Sequence, residues 1–252
     1  MTLPTRDLRF LLLQVRNPDD PMRRHEITCF ERGFGLVPGQ VEIFDLLRGA
    51  PDAKRIESVD VVLLGGSGDY SVARGGPWLP AALEAMVGLY EMSTPTFASC
   101  WGFQAMARAM GGSVVTDHAR AEVGATWLDL TDAGRSDPVF GPLAPRFQAV
   151  SGHEDIVVTI PASATLLASS ERVENQAFHF PGKPIYCTQF HPELTRSDLL
   201  ERISRYPAYL PLAGASTVDE LAEMTPELDH VGGILKRFLD VAFGRRAPTS
   251  DG

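Results

Sequence analysis

The strongest constraint on this chain is an alternation. Four short, mostly apolar runs punctuate residues 8–112: LRFLLLQV (8–15), GQVEIFDLL (39–47), VDVVLLGG (59–66) and TPTFAS (94–99). Runs of this length and composition predict strands of a buried sheet. Helical spacing occupies 20–36, 77–92 and 101–112; the second of these begins with Pro77, which a first helical turn tolerates, and the third stops at Gly111-Gly112. The resulting order, β-α-β-β-α-β-α, predicts a parallel sheet with helices on both faces. Ligands of such sheets bind at the carboxyl ends of the strands. Two segments lie at such ends, GGSGDYS (65–71) and SCWGFQ (99–104).

Residues 113–180 change character. EVGATWLDL, RFQAVSG, DIVVTI, TLLAS and NQAFHF read as short, mostly antiparallel strands, and DAGRSDP and FPGKP read as turns. PIYCTQF (184–190) reads as a return to the central sheet and runs into His191-Pro192-Glu193. Two or three helices follow, of which DHVGGILKRFLDVAF is the clearest. The last residues, 245–252, read as a flexible tail. No repeat or low-complexity linker divides the 252 residues, so one domain is expected.

The formal net charge is −9, which argues against a nucleic-acid ligand, because neutralising phosphates needs a basic face. The pairs Arg23-Arg24 and Arg245-Arg246 are too short to reverse that. The N-terminal apolar run is too short to span a membrane and lacks the order of a signal peptide. Three widely spaced cysteines, Cys29, Cys100 and Cys187, fit a reducing compartment with at most one thiol doing chemistry. A cytoplasmic protein is expected.

Cys100 stands where a buried strand gives way to a helix. A nucleophile on such a sharp turn needs small residues two places before and two after, and here they are Ala98 and Gly102. The start of a helix favours the reactive thiolate, and the N–H of Trp101 can serve an oxyanion. Taken alone, Cys100 is equally well a packed core thiol. A cysteine nucleophile needs a base with an orienting acceptor. His191 and Glu193, two apart in an extended segment, would share a face. The glycines after 59–64 let backbone approach a ligand, so the amides of Gly66 or Ser67 can complete an oxyanion hole; an ordinary tight turn is the plainer reading. A dinucleotide fingerprint is excluded, because Ser71 stands where its third glycine would be.

Together the glycine loop, the elbow Cys100-Trp101-Gly102-Phe103-Gln104 and the strand ending in His191-Pro192-Glu193 resemble the class I, triad-type glutamine amidotransferases, and in particular their stand-alone GMP-synthase-like members. The resemblance runs from about residue 8 to 195 and includes EVG (122–124) and HEDIV (153–157). It departs at Ala98, where the family usually has glycine, and at Gly152, where it often has serine; Ser151 lies one place earlier. It implies a flavodoxin-like, doubly wound α/β fold with a mostly parallel sheet, helices on both faces and a small antiparallel strand-rich insertion. One amidotransferase domain would cover residues 1–244, with 196–244 as a C-terminal helical extension.

The resemblance further implies hydrolysis of the side-chain amide of L-glutamine through Cys100, His191 and Glu193 and a thioester. Gly66, Ser67 and Trp101 would form the oxyanion hole. Gln104 would contact the amino-acid end of the substrate, with Ser151, Gly152 and His153 beside it. No metal or organic cofactor is required. No ATP-pyrophosphatase segment is present, so ammonia would pass to a synthase or other acceptor on a separate chain, and a homo-oligomer stays open. A γ-glutamyl hydrolase acting on γ-glutamyl amides is the alternative, and a non-enzymatic or redox-sensing relative of the fold is a second. His153 and Asp155 read as residues that shape the loop beside the site. His25, His118, His179 and His230 lack paired spacing and are read as surface or structural.

Overall fold

In the computed structural model, residues 4–228 and 231–244 are described. The tail predicted at 245–252, Arg245-Arg246 and His230 lie outside them. The elements in chain order are β1 (Phe10–Gln14), α1 (Met22–Phe34), β2 (Val41–Asp45), α2 (Ala53–Glu57), β3 (Val61–Leu64), α3 (Leu79–Met92), β4 (Thr96–Ser99), α4 (Trp101–Ala109), β5 (Ser113–Thr116) and β6 (Glu122–Leu130). They continue with α5 (Asp132–Ser136), β7 (Arg146–His153), β8 (Asp155–Thr159), β9 (Thr165–Ser169), β10 (Ala177–His179), β11 (Ile185–Thr188), α6 (Arg196–Arg205), α7 (Val218–Met224) and α8 (Gly233–Ala242).

Nine strands form one sheet in the order β2-β1-β3-β4-β11-β10-β9-β6-β7. The first five are parallel, the doubly wound arrangement expected, and β10, β9, β6 and β7 continue the same sheet antiparallel. β5 and β8 pair separately. The strand-rich insertion therefore extends the main sheet as an antiparallel edge, and its β5 and β8 form the small antiparallel sheet.

The strands read as continuous apolar runs because both faces are covered. Successive side chains point to opposite faces. Phe10, Leu12 and Leu63 pack with Phe30 and Phe34 of α1 and Phe238 of α8. Their neighbours Leu11, Leu13 and Leu64 pack with Met86 and Leu89 of α3 and Met106 of α4. The gap between β2 and β3, predicted to be a bare connection, holds the short helix α2, capped by Asp52 accepting from the Arg55 N–H. DAGRSDP, predicted to be a turn, contains α5, whose first turn is capped by the Thr131 hydroxyl. Helix α1 ends at Gly35 with φ 70°, a left-handed cap that glycine adopts without strain. Among the described residues, no helix is long and apolar enough to cross a membrane.

The order β3-β4-β11 matters most for the site. Three adjacent parallel strands deliver Gly65-Gly66, Cys100 and His191 to one edge of the sheet.

Candidate active site

Cys100 is the cap residue before α4 and has φ 51°, ψ −103°. Positive φ costs a non-glycine residue energy that the surroundings must offset. They do so with two backbone bonds: Cys100 N–H donates to Thr188 O (2.8 Å), and Gly102 N–H donates to Gly65 O (3.1 Å). The elbow is thus fastened to the ends of both neighbouring strands. A Cβ at Gly102 would stand 2.4 Å from Leu64 Cβ and 3.2 Å from Ala98 Cβ, so glycine at 102 makes the room that the Ala98 methyl fills. The Cys100 thiol is 7% exposed and donates to Gly152 O at 3.9 Å.

His191 N–H donates to Val150 O (2.8 Å), tying the end of β11 to β7. The imidazole Nδ1 donates to Glu193 Oε1 at 2.6 Å. The expected pairing is present, but its cause differs from the expected extended segment. Residues 191–194 form a turn closed by Leu194 N–H to His191 O (3.3 Å), with Pro192 at the second position, and the turn folds Glu193 back under the imidazole. Ser99 Oγ donates to the same Glu193 oxygen (3.2 Å), a partner sequence reading missed although Ser99 adjoins the elbow.

Burial works against a charged imidazole, but the Glu193 carboxylate and the Cys100 sulfur outweigh it, and His191 is raised to about 9. Burial would likewise raise Glu193; the His191 charge, with Arg202 adding to it, holds the carboxyl below its ordinary value. The other two thiols are poor nucleophiles. Burial pushes Cys29 up to about 12 and Cys187 well above its ordinary value.

Gly66 lies against the imidazole: a Cβ there would be 3.1 Å from His191 Cε1. The loop from Ser67 to Arg74 is held by Asp155, whose carboxylate accepts from Ser71 Oγ (2.6 Å), Ala73 N–H (3.1 Å) and Thr116 Oγ1 (2.6 Å). Ser67 Oγ donates to Tyr70 O. The Trp101 N–H, first in α4, belongs to the group of amides that a helix start leaves without a helical acceptor.

Two small cavities meet at Cys100 and share Ser67, Gly152 and Tyr209. One, about 30 Å³, is polar and includes Ser71, Trp101, Gln104, His153 and Asp155. The other, about 40 Å³, includes Gly66, His191, Leu199, Arg202, Ile203 and Tyr206. Larger open clefts of about 540 and 560 Å³ lie along β6 and beside Pro207–Ser216, away from Cys100; chemistry rather than size picks out the smaller pair.

Gln104 lines the polar cavity, with its amide nitrogen donating to Asp155 O (3.0 Å) and Gln189 Oε1 (3.2 Å). Gly152 lines both cavities. Ser151 is fully buried, and among the described residues its hydroxyl has no partner. Both ring nitrogens of His153 are occupied, Nδ1 by Asp155 O (3.1 Å) and Nε2 by Glu122 Oε2 (3.2 Å). That supports the reading of His153 and Asp155 as builders of the loop. His25, Cys29 and Asp198 bring ligand-type atoms together. Asp198 is already paired with Arg32 and completes the capping box of α6, and Arg202 Nε reaches His25 (3.5 Å), so these atoms are already engaged by protein partners.

Known proteins resemble this chain in sequence and fold. The family model described as glutamine amidotransferase class-I matches residues 39–203. The chain is similar to a glutamine-hydrolyzing GMP synthase subunit from Methanothermobacter thermautotrophicus, 32% identical over 48% of this chain and 62% of that protein, so it spans about three fifths of that relative. It is also similar to gamma-glutamyl peptidase 3 of Arabidopsis thaliana, 28% identical over 71% of this chain and 72% of that one. Among solved structures, a glutamine amidotransferase from Thermotoga maritima shares the fold with a TM-score of 0.73 at 21% identity, covering 94% of this chain and 98% of that one.

Proposed function

The chain belongs to the class-I glutamine amidotransferase family and is an enzyme of that family, and on that premise we propose that it hydrolyses the side-chain amide of L-glutamine through Cys100, His191 and Glu193. Cys100 Sγ attacks the amide carbon. The oxyanion is received by the amides of Gly66, Ser67 and Trp101, and loss of one such donor costs on the order of 100-fold in rate. His191 passes the thiol proton to the departing nitrogen, then activates the water that cleaves the thioester to glutamate. Glu193 holds the imidazole with Nδ1 protonated and Nε2 toward the reacting atoms, and Ser99 holds Glu193. Gln104 and Gly152 border the glutamyl chain in the polar cavity. His153 acts behind them by fixing the loop.

The observation that carries this reading is the 2.6 Å His191–Glu193 bond set beside a strained cysteine on the adjacent strand end. Ammonia goes to an acceptor on a separate chain, a reading supported by likeness to a protein named as one subunit of GMP synthase. Residues 1–244 act as one amidotransferase unit; the packing of α8 on α1 supports counting the C-terminal helices within it. The test is ammonia release from L-glutamine by the purified chain beside Cys100→Ala. Release by the first and not the second is expected. Equal release would overturn the assignment of Cys100.

A second reading, hydrolysis of larger γ-glutamyl amides, is favoured by the cavity on the His191 side of Cys100. Its volume, about 40 Å³, matches roughly three waters rather than one ammonia.

A further inference from the structure

Two arginines line the cavity on the His191 side, and they differ in what they hold. Arg16 is spent: it pairs with Asp20 (3.1 Å) and Glu26 (3.3 Å) and donates to Tyr206 Oη (3.0 Å). Arg202 is 7% exposed and, among the described residues, forms no ion pair. Its Nε reaches only His25 Nδ1 at 3.5 Å, and its Nη2 is buried with no hydrogen-bond partner. Nη1 borders Gly66, 3.7 Å from where a Cβ would stand, so the guanidinium lies beside the loop that faces His191. A buried guanidinium with no direct ion pair is costly, and planar carboxylates are the groups its paired donors fit. Leu194, Leu199 and Ile203 supply apolar wall around it.

The chemistry of the triad fixes which half of a substrate meets this cavity. His191 gives its proton to the departing nitrogen. It lines the Arg202 cavity and not the polar one. The acyl half therefore occupies the polar cavity, and the leaving amine occupies the Arg202 cavity. Ammonia has no group for Arg202 to hold. An amino acid, leaving through its nitrogen, has a carboxylate.

We propose that the enzyme also cleaves γ-glutamyl amides whose leaving group is an amino acid, with Arg202 as the receptor for that amino acid's carboxylate. The step balances without a co-reactant other than water. Cys100 sulfur bonds to the carbonyl carbon of the γ-glutamyl amide, the C–N bond breaks, and the thiol proton passes through His191 to the amine. Water then cleaves the thioester, giving glutamate and the free amino acid. The inference rests on the reading of Cys100 and His191 in the preceding subsection.

The test compares kcat/KM of the full chain for L-glutamine, γ-glutamylglycine and γ-glutamylethylamide, which has a leaving group of similar reach without the carboxylate. The wild type should prefer γ-glutamylglycine to the ethylamide by on the order of 10- to 100-fold, the scale of a charge-assisted bond. Arg202→Met should reduce that ratio to about unity, and Arg202→Lys should restore part of it. A ratio within one sample does not depend on the fraction folded, so a destabilised variant still reports. If the wild type turns over glutamine but shows no preference for the acid, the leaving-group assignment is overturned while the glutaminase reading stands. If Arg202→Met weakens all three substrates equally, Arg202 serves the glutamyl half or the fold, and the assignment is again overturned. Failure of the wild type to cleave any of the three, with Cys100 inert to a glutamine-analogue electrophile, overturns both readings.

Discussion

The His191–Glu193 pair, to which the proposed mechanism gives the proton transfers, also carries part of the stability. Without the carboxylate, only the Cys100 sulfur still opposes burial, and the imidazole is lowered. In Glu193→Gln, the His191 titration followed by NMR should therefore fall from about 9. Glutamine hydrolysis should drop by about 10²–10⁴, the usual worth of positioned acid–base catalysis. A titration unchanged in the variant would contradict the pairing. The folded state binds the His191 proton more tightly than the unfolded chain does, so that stabilisation is full below about pH 6.5 and is lost as pH rises through about 9. Glu193 is shifted the other way, so its share is present above its ordinary value of 4.5 and is lost as pH falls. The stability difference between wild type and Glu193→Gln, from denaturant unfolding, should peak between about pH 4.5 and 6.5; a difference constant to pH 9.5 would refute this. At this scale the sequence was most legible where partners are close in the chain, as in His191 with Glu193. Ser99 beneath Glu193, Glu122 behind His153 and Arg202 beside Gly66 were not legible, because each meets its partner across the sheet from a distant segment.

Elements were readable in proportion to how much of them is buried. β1, β3 and β4 stand out because both faces are apolar, and α1 and α3 because one face is. β5 was missed: it alternates exposed and half-buried positions and pairs only with β8. α2 and α5 have five residues each, too few to show a helical period, although the caps Asp52 and Thr131 are the signals that mark such starts. The elbow is the element on which the site depends, and its tolerance is narrow. Gly102→Ala improves helix propensity by about 1 kcal/mol. It also sets a Cβ 2.4 Å from Leu64 Cβ and 3.1 Å from Leu64 O, neither of which is the end of a flexible side chain. Overpacking of this kind costs about 1–3 kcal/mol, so the clash should win. Gly102→Ala should melt lower than the wild type, by roughly 2–4 °C for each kcal/mol, and lose activity as α4 shifts. A variant that melts at or above the wild type would show that the turn has slack.

At the scale of the whole molecule, the C-terminal helices are where sequence reading had least to say, and they prove to be part of both core and site. Phe238 of α8 meets Phe34 (6.3 Å between ring centres) and Phe97 (5.5 Å), closing one face of the sheet. Phe238→Ala should destabilise by about 3–5 kcal/mol in denaturant unfolding; a loss under about 1 kcal/mol would mean that α8 is only an appendage. α6 lends Arg202 to the cavity wall, and the segment after it lends Tyr206 and Tyr209, so variation beyond residue 195 reaches the cavity that Cys100 and His191 line. No periodic or motif signal announces that contribution, because it arises from how the chain returns over the sheet edge. The central claim is that Cys100 is a nucleophile in a glutamine site. It is tested most directly by treating the intact protein with an electrophilic glutamine analogue at neutral pH and mapping the adduct by mass spectrometry. The account predicts one adduct, on Cys100, suppressed by free L-glutamine. An adduct on Cys29 or Cys187, or labelling of Cys100 that glutamine does not suppress, would contradict it.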